Sequence, residues 1–308
     1  MRILITGGTG LIGRRLLADR LRRGDEVVLV TRDRQRARRR IGADSAKGVS
    51  IVEGDPATAG GWQKSIDGCD AVINLAGAGV ADRRWTAGYK KLLVDSRVDS
   101  AARVVDAITE SQRPPGVLIG ASATGYYGGR GDECLQESAG PGDDFLARLA
   151  VAWEHKTQEA ASAGARVVSL RFGVVLDRAG GALAKMIPPF RFLLGGPLGS
   201  GRQYMPWVHW GDVIGLIDLA LHTSALAGPL NVVAPEAVTS RTFARTMGRV
   251  MKRPAVLPVP RLALRLALGE LADYVIMSQR VEPATAHRHG YRFRFPRLQP
   301  ALESLLEG

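Results

Sequence analysis

The eight residues TGGTGLIG, positions 6–13, lie between a short apolar run at 2–6 and an amphipathic segment at 11–23. Their glycines fit both G-x-x-G-x-x-G and G-x-G-x-x-G, the second through Gly8. In a strand–turn–helix unit, such glycines permit a tight turn, let a pyrophosphate approach the backbone and let the helix pack on the strand. Unpaired N–H groups at the start of the helix then attract phosphate. The stretch predicts a dinucleotide-binding loop. The residues expected to contact the cofactor are Gly7, Thr9, Gly10, Leu11, Ile12 and Gly13.

Short, nearly all-apolar runs alternate with amphipathic segments along the first half of the chain. The runs are residues 2–6, 26–31, 49–52, 70–75, 117–121 and 166–171, with a late one at 230–233. Runs without polar alternation are typical of parallel strands covered on both faces. Helical patterns lie between them at 11–23, 85–109 and 145–163. This order predicts an α/β fold, a doubly wound parallel sheet (Rossmann fold) with a smaller C-terminal lobe.

The composition of the sequence changes near Gly173, after which Gly, Pro and aromatic residues become frequent. We place the Rossmann domain at 1–175, completed by 205–235, and the C-terminal lobe at 176–308. Pro188 is expected to end the helix that begins near Ala182, since proline removes a donor and clashes with the preceding turn. One helix is expected from Pro260 to about Ile276.

Composition excludes several classes of protein. Of the 308 residues, 45% are hydrophobic and 23% charged, so the chain is not disordered, collagen-like or a coiled coil. Lysine and arginine number 42 against 30 acidic residues, a formal net charge of +12. A basic surface attracts phosphates, nucleic acid and anionic lipid alike. Because no nucleic-acid-binding module is present, we favour a coding bias toward arginine over a nucleic-acid partner.

The cellular setting follows from what the sequence lacks. The two cysteines, Cys69 and Cys134, form no disulfide framework. No apolar stretch reaches the roughly 18 residues that span a bilayer, and the N-terminal apolar run is too short for a signal peptide. His287 and His289 lack nearby carboxylate or Cys partners, so we expect a basic turn and no metal. We therefore predict a cytoplasmic protein with no membrane or nucleic-acid partner, and the oligomeric state stays open.

The end of the second predicted strand bears on the choice of dinucleotide. NAD sites usually place Asp or Glu there, which binds the ribose 2′-hydroxyl. Here the strand ends in Thr31-Arg32, and a guanidinium suits a 2′-phosphate. We predict NADP(H), with Arg32 as the main partner and Arg34 or Arg36 assisting. Asp33 is the alternative, because a shift of one residue would restore an acid.

Later strand ends supply further candidates for the cofactor site. Asp55 follows the third strand and is expected to accept a hydrogen bond from the adenine amino group, ordinary loop chemistry being equally possible. Leu75, Ala76 and Gly77 close the fourth strand, where they would pass beneath the adenine ribose. Strand ends at a switch point line the ligand crevice of this fold.

Three of these segments together carry a resemblance to a known family. The glycine loop, Asn74-Leu75-Ala76-Gly77 and Ser122-Ala123-Thr124-Gly125-Tyr126-Tyr127-Gly128 resemble the extended short-chain dehydrogenase/reductases, and more narrowly the atypical "epimerase family protein" subgroup. Further matching segments extend to 290–296, so the likeness covers nearly the whole chain. The resemblance implies a Rossmann domain, NADP(H) binding and a C-terminal lobe with a family-type segment at about 254–300.

The chain departs from the parent family at its catalytic pair. That pair is Tyr-x-x-x-Lys on one helix, beside a Ser or Thr ending the fifth strand. Only Tyr126 has a cation four residues later, Arg130, and that segment is a glycine-rich loop. The helical pattern at 145–163 contains no tyrosine. Two functions remain: an oxidoreductase or epimerase acting on a small polar molecule, neutral or anionic, or a catalytically inactive NADP(H)-binding sensor or partner-binding protein.

Other residues are candidates to replace the missing pair or to line the cleft. Ser122 and Tyr127 are the catalytic candidates, although a strand-end serine bonded to backbone and aromatic packing are the plainer interpretations. Arg97 is expected to hold a cofactor phosphate or an anionic substrate. Glu154 and Lys156 are candidates to replace the missing pair, although an exposed pair of charges is the plainer interpretation and the one expected. Ala121 is added to the cofactor site, and the substrate candidates are Trp85, Tyr126, Trp207 and His209, the histidine having a buried structural role as its alternative.

Overall fold

A seven-stranded parallel sheet organises the computed structural model, which describes residues 1–42 and 48–307. The strands are β1 Arg2–Thr6, β2 Glu26–Thr31, β3 Val49–Glu53, β4 Ala71–Asn74, β5 Val117–Ala123, β6 Cys134–Leu135, β7 Arg166–Phe172, β8 Val174–Leu176, β9 Tyr204–Met205, β10 Trp207–His209, β11 Gly228–Val232, β12 Val238–Thr239 and β13 Arg280–Val281. The large sheet has the order β11-β7-β5-β4-β1-β2-β3. The predicted strands are thus confirmed, with ends shifted by at most two residues.

Helices cover both faces of this sheet and build the lobe. They are α1 Leu11–Arg22, α2 Arg34–Ile41, α3 Ala87–Thr109, α4 Phe145–Gln158, α5 Gly181–Arg191, α6 Trp210–His222, α7 Ser240–Met251, α8 Arg261–Leu268, α9 Leu271–Val275, α10 Ala284–Arg288 and α11 Leu298–Leu306. Short 3-10 turns occupy Gly61–Ile66, Thr124–Tyr127 and Glu159–Ala163. Thr86 and Asp144 begin α3 and α4, because each side chain accepts a hydrogen bond from an N–H of the first turn.

Alternate residues of the strands pack into two separate cores. On one face, Ile3 and Ile5 pack with Leu17 of α1 and with α6. On the other face, Leu4 packs with Ile108 of α3. Each fully buried aliphatic side chain contributes about 1.5–3 kcal/mol. Two apolar faces on one strand explain why the sequence shows continuous apolar runs, and they confirm the doubly wound arrangement.

The strand order reverses between β1 and β4, and this point positions the site. In such sheets the helices that follow the two strands leave toward opposite faces, which opens a crevice at the carboxyl ends. The last strand of the sheet, β11, pairs in parallel with β7. Residues from the second half of the chain therefore complete the sheet, within the range 205–235.

The C-terminal lobe has its own apolar core, in which α7 packs on α11. Asp212 on α6 joins this lobe to the sheet by accepting hydrogen bonds from the amides of Arg294 and Phe295. The Arg84 guanidinium reaches the Leu266 carbonyl on α8 from the Rossmann side. No helix in the described part of the chain is long and apolar enough to cross a membrane.

Two predicted helix boundaries in the lobe are wrong. Helix α5 continues through Pro188 to Arg191; both of its prolines are exposed, while Ile187 and Phe190 are buried. The single helix expected at 260–276 is two helices, separated at Gly269, which adopts a φ of 64°.

Candidate functional site

The glycine loop makes close backbone contacts that leave no room for side chains. Gly7 has a φ of 67°, and a Cβ atom there would lie 2.4 Å from the Leu75 carbonyl oxygen. A Cβ atom on Gly13 would lie 2.4 Å from the Cα of Gly8. The Gly10 amide donates to the Gly7 carbonyl at 3.0 Å. The loop therefore brings β1, α1 and the end of β4 into direct contact, as a dinucleotide fold requires.

The first turn of α1 offers unsatisfied donors at this crevice. Gly10 precedes the helix and provides no side-chain cap, and the first turn contains no acidic residue. The amides of Leu11, Ile12 and Gly13 consequently lack intrahelical acceptors. Together with the positive end of the helix dipole, these amides fit a diphosphate group.

Asp33 is occupied as a helix cap, which answers the question of register. Thr31 is the last residue of β2 and pairs with Glu53. The Asp33 carboxylate accepts a hydrogen bond from the Arg36 amide at 2.8 Å and begins α2. Arg32 and Arg34 are exposed, and no carboxylate of the described residues forms an ion pair with Arg32. The side chain available directly after the strand is therefore a guanidinium.

Asn74 holds the end of β4 in place. Its Oδ1 accepts hydrogen bonds from the Thr6 hydroxyl at 2.5 Å, the Ser100 hydroxyl at 3.1 Å and the Ala76 amide at 3.3 Å. The segment Leu75-Ala76-Gly77 is thereby fixed against Gly7. Asp55 follows β3, the edge strand of the sheet, where its carboxylate accepts from the Ala57 amide, and its contact with adenine stays a prediction.

Ser122 on β5 is bonded to a charged side chain of α4. Its hydroxyl donates to Oε1 of Glu154 at 2.5 Å, and Glu154 receives two further hydrogen bonds from Arg171 of β7, both at 2.8 Å. The Glu154 and Arg171 side chains are only 15% and 4% exposed. The expected exposed pair of Glu154 with Lys156 is wrong, because Lys156 bonds to Glu159 on the outer face. The structure thus places a serine, a carboxylate and a guanidinium in one chain of contacts.

Arg171 extends this chain toward two tyrosines. Its Nη1 donates to the Tyr127 hydroxyl at 3.0 Å and to the Glu137 carbonyl at 3.2 Å, and its guanidinium lies 3.5 Å from the centre of the Tyr126 ring. Burial opposes its charge, but hydrogen bonds and charge attraction from Glu154 raise the pKa of Arg171 above its usual value. Arg171 is therefore a permanent cation behind Glu154.

Tyr127 is turned away from the cleft. Its side chain is completely buried, and its hydroxyl donates to Oδ1 of Asn231 at 2.7 Å. Burial raises its pKa to about 12, partly offset by Arg171. The structure corrects the expectation that Tyr127 faces a substrate, because both bonds of its hydroxyl serve the protein. Tyr126 is half-buried and is the more accessible of the two rings.

The face of α4 that reaches Ser122 carries no tyrosine and no lysine. Glu154 makes the contact, and the residue one helical turn before it is Ala150, which is buried. Arg130, the cation four residues after Tyr126, instead pairs with Glu133. Within the described residues, Tyr126 and Arg130 therefore do not act as a pair.

His209 and Trp207 belong to the packing of the lobe, and their expected substrate contacts are wrong. Nδ1 of His209 accepts from the Gly211 amide at 3.0 Å, and the ring lies 3.9 Å from that of Phe295. Burial lowers the pKa of His209 to about 4, so it is neutral at pH 7. The Trp207 ring is 1% exposed and its N–H donates to the Glu236 carbonyl.

Trp85 is likewise a packing residue. Its N–H donates to the Val80 carbonyl at 2.8 Å, and its ring packs against Phe145 and Tyr274. It therefore joins α4 to the lobe, and its polar atom is not free for a ligand.

Arg97 lies on α3, the helix that follows β4, and its guanidinium lies against Gly77 at the end of that strand. Its guanidinium donates to the carbonyls of Leu93 at 3.1 Å and Ala78 at 2.8 Å, and it stacks 5.3 Å from the centre of the Trp153 ring. Burial lowers the pKa of Arg97 to about 10. Ala121 packs beside the same tryptophan, which puts both candidates near Ser122.

Comparison with known proteins identifies the family. Residues 3–233 match the family described as "NAD dependent epimerase/dehydratase family", and residues 259–305 match a domain of unknown function, DUF1731. The chain belongs to the NAD-dependent epimerase/dehydratase family. The resemblance stated from the sequence is therefore confirmed, and with it an NAD(P)-binding Rossmann fold of the short-chain dehydrogenase type.

Several relatives are similar over their whole length. The "Epimerase family protein SDR39U1 homolog, chloroplastic" of Arabidopsis thaliana is 38% identical, covering 100% of this chain and 87% of the relative. The mouse epimerase family protein SDR39U1 is 36% identical over 99% of this chain and 100% of its own. The crystal structure of human epimerase family protein SDR39U1 (isoform 2) with NADPH is 35% identical, with a TM-score of 0.89 and coverage of 100% and 99%. A Thermus thermophilus UDP-glucose 4-epimerase, at 22% identity and a TM-score of 0.78 over 100% and 98% of the two chains, shares the fold.

Sequence reasoning missed Arg171 and misjudged Glu154. One signal was present, because Arg171 is a charged residue in a largely apolar strand whose faces are both covered. A charge at such a position needs a buried partner, since an unpaired buried charge is costly. The identity of that partner depended on how α4 rotates over the sheet, which spacing alone did not give.

Proposed function

We propose that this protein binds NADP(H) and acts as an oxidoreductase or epimerase on a small polar molecule. The observation that carries the cofactor is the position of Arg32 directly after β2, with Asp33 engaged as the cap of α2. A guanidinium attracts a 2′-phosphate and has no selective use for a bare hydroxyl. The NADPH in the crystal structure of the human relative supports the same choice.

The described residues fit this cofactor at three places. The tight loop at Gly7 and Gly13 and the open first turn of α1 would hold the diphosphate. Arg32, assisted by Arg34 or Arg36, would hold the 2′-phosphate. The backbone of Leu75-Ala76-Gly77 would support a ribose. When bound, a nicotinamide supplies two-electron transfer to or from a substrate carbon.

Ser122 would orient the oxygen of the substrate. Because its own hydrogen is committed to Glu154, Ser122 Oγ is left with lone pairs that accept a hydrogen bond from a substrate hydroxyl. The proton of that hydroxyl can pass to Oγ as the serine hydrogen passes to Oε1 of Glu154. Arg171 holds the Glu154 carboxylate in place with two hydrogen bonds, so the acceptor is positioned before the substrate arrives.

Titration of both reduced cofactors tests the proposal. We expect NADPH to bind more tightly than NADH, and Arg32→Ala to weaken NADPH binding by at least tenfold, because a charge-assisted hydrogen bond is worth about 1.5–3 kcal/mol. Arg38→Ala is the matched control, since Arg38 is exposed like Arg32 but lies farther along the chain, on α2. Equal or tighter binding of NADH to the unaltered protein would contradict the proposal.

A second function, an NADP(H)-binding sensor without catalysis, is favoured by two observations. Helix α4 has no tyrosine, and the Tyr127 hydroxyl is bonded within the protein. Incubating the protein with NADPH deuterated at nicotinamide C4 and a panel of small carbonyl compounds separates the two. Transfer of deuterium that is lost in Ser122→Ala supports the enzyme, and no transfer to any compound supports the sensor.

A further inference from the structure

Arg97 carries a charge that no carboxylate in the described part of the chain balances. Its guanidinium bonds only to two backbone carbonyls, those of Leu93 and Ala78, which leaves N–H groups without an acceptor in the described part of the chain. No carboxylate of residues 1–42 and 48–307 forms an ion pair with it. Burial accordingly lowers the pKa of Arg97, opposed by the charge of Tyr89 alone, and no carboxylate of the described residues raises it.

Two other arginines with buried or half-buried guanidinium groups, Arg171 and Arg166, are compensated. Arg171 has Glu154, at 2.8 Å. Arg166 has no carboxylate, but it donates to the Leu221 carbonyl at the C-terminal end of α6, where the helix dipole is negative. The carbonyl of Leu93 lies inside α3, so Arg97 receives no such help from a helix end.

The position of Arg97 makes its charge available to a ligand. A Cβ atom on Gly77 would lie 3.3 Å from the Cζ of Arg97, so the guanidinium lies directly against the end of β4. On its other side is Trp153, which packs with Ala121 of β5. The Trp153 N–H is buried and also lacks an acceptor among the described residues. The Arg97 guanidinium, with N–H groups that have no acceptor among the described residues, therefore lies beside the end of β4, at the crevice where this fold binds ligands.

We propose that Arg97 binds an anionic group, a carboxylate or a phosphate, of a molecule seated in this crevice. The inference rests on the proposed function and narrows its ligands to ones that present an anion beside Ser122. The two carbonyl bonds and the stacking on Trp153 hold the guanidinium in one orientation. A planar guanidinium fixed in this way matches a carboxylate or phosphate with paired hydrogen bonds. The anion belongs either to an acidic substrate or to the cofactor diphosphate.

Calorimetric titrations with three probes separate these sources. NADP+ is titrated into the protein, and malonate and inorganic phosphate are titrated into the free and the NADP+-saturated protein. The variants are Arg97→Gln and Arg97→Lys, with Arg103→Gln as the control, because Arg103 lies on the same helix and pairs with Asp106 at the surface. Thermal unfolding of each variant verifies that it is folded. If Arg97→Gln does not fold, the binding affinities of Arg97→Lys are used in its place.

We expect Arg97→Gln to weaken one of the interactions at least tenfold, with Arg97→Lys intermediate and Arg103→Gln unchanged. Loss of malonate or phosphate binding with unchanged NADP+ affinity assigns the anion to the substrate. Loss of NADP+ affinity assigns it to the cofactor. Unchanged NADP+ affinity together with unchanged or undetectable binding of both small anions overturns the proposal. If the unaltered protein does not bind NADP+, the proposed function fails, while malonate and phosphate titrations of the free protein still test Arg97.

Discussion

Glu154 accepts the hydrogen of Ser122 at 2.5 Å and thereby links the end of β5 to a helix that has no tyrosine. Arg171 holds the opposite side of the same carboxylate with two hydrogen bonds. A serine in this setting is a hydrogen-bond acceptor toward anything that enters the cleft, because its only hydrogen is already used. The pair therefore fixes which hydrogen-bonding role Ser122 can take.

Replacing Glu154 by glutamine should destabilise the fold. Glutamine cannot offer two oxygen atoms to Arg171, and the guanidinium would remain buried without its counter-charge. We expect the free energy of unfolding in urea to fall by about 3 kcal/mol, the usual cost of breaking a buried ion pair.

Glu159→Gln provides the control for that measurement, because Glu159 pairs with Lys156 on the solvent-facing side of the same region. The loss there should stay below about 1 kcal/mol. Equal losses in the two variants would show that the contact of Glu154 with Arg171 is energetically no different from a surface pair.

Tyr127→Phe tests whether this tyrosine is structural. Removal of its hydroxyl leaves Asn231 and one N–H of Arg171 without a buried partner. The unfolding free energy should fall by about 1–3 kcal/mol. The NADPH dissociation constant should stay the same, as measured by quenching of tryptophan fluorescence. A stable Tyr127→Phe protein with weakened NADPH binding would place Tyr127 in the cleft after all.

Much of the sheet could be predicted because its strands are buried on both faces. The runs at β1 and β2 contain little besides apolar residues, so their limits agree with the structure to the residue. The loop at Gly7–Gly13 could be predicted equally well. A Cβ atom at Gly7 or Gly13 would lie only 2.4 Å from backbone atoms, so these positions admit only glycine. These features depend on local sequence, and local sequence was sufficient for them.

The cleft was harder to predict because its members come from distant segments. Trp207 and His209 were expected near a ligand, but aromatic rings and an uncharged imidazole also suit a core, and the lobe uses them there. Glu154 was expected outside, although it is the side chain that turns inward to Ser122. Such choices depend on how helices and lobe pack on the sheet, and single-residue chemistry does not decide them.

Gly13→Ala should disturb the cofactor loop directly. The added methyl group would lie 2.4 Å from the Cα of Gly8, so helix α1 must move away from the loop. We expect a stability loss of about 1–3 kcal/mol and NADPH binding weakened at least tenfold in a fluorescence titration. Gly61→Ala is the control, because a Cβ atom there has no neighbour within 4 Å. Tight NADPH binding by Gly13→Ala would mean that the α1 terminus does not contact the cofactor.

His209 should make stability depend on pH. Its pKa in the folded protein is about 4, whereas an unfolded histidine titrates near the ordinary value of 6.5. Between these values the unfolded chain binds the proton and the folded chain does not, so stability rises with pH across this window. The contribution of His209 to stability is complete above pH 6.5 and is lost as the pH falls toward 4, by about 3 kcal/mol in all.

Urea unfolding at pH 7.5 and pH 5 measures this difference in stability. His209→Asn keeps a side-chain acceptor for the start of α6 but cannot titrate, and it should flatten the profile. His155→Asn, at an exposed position, should leave the profile as it is. A profile that persists in His209→Asn would assign the pH dependence to another group.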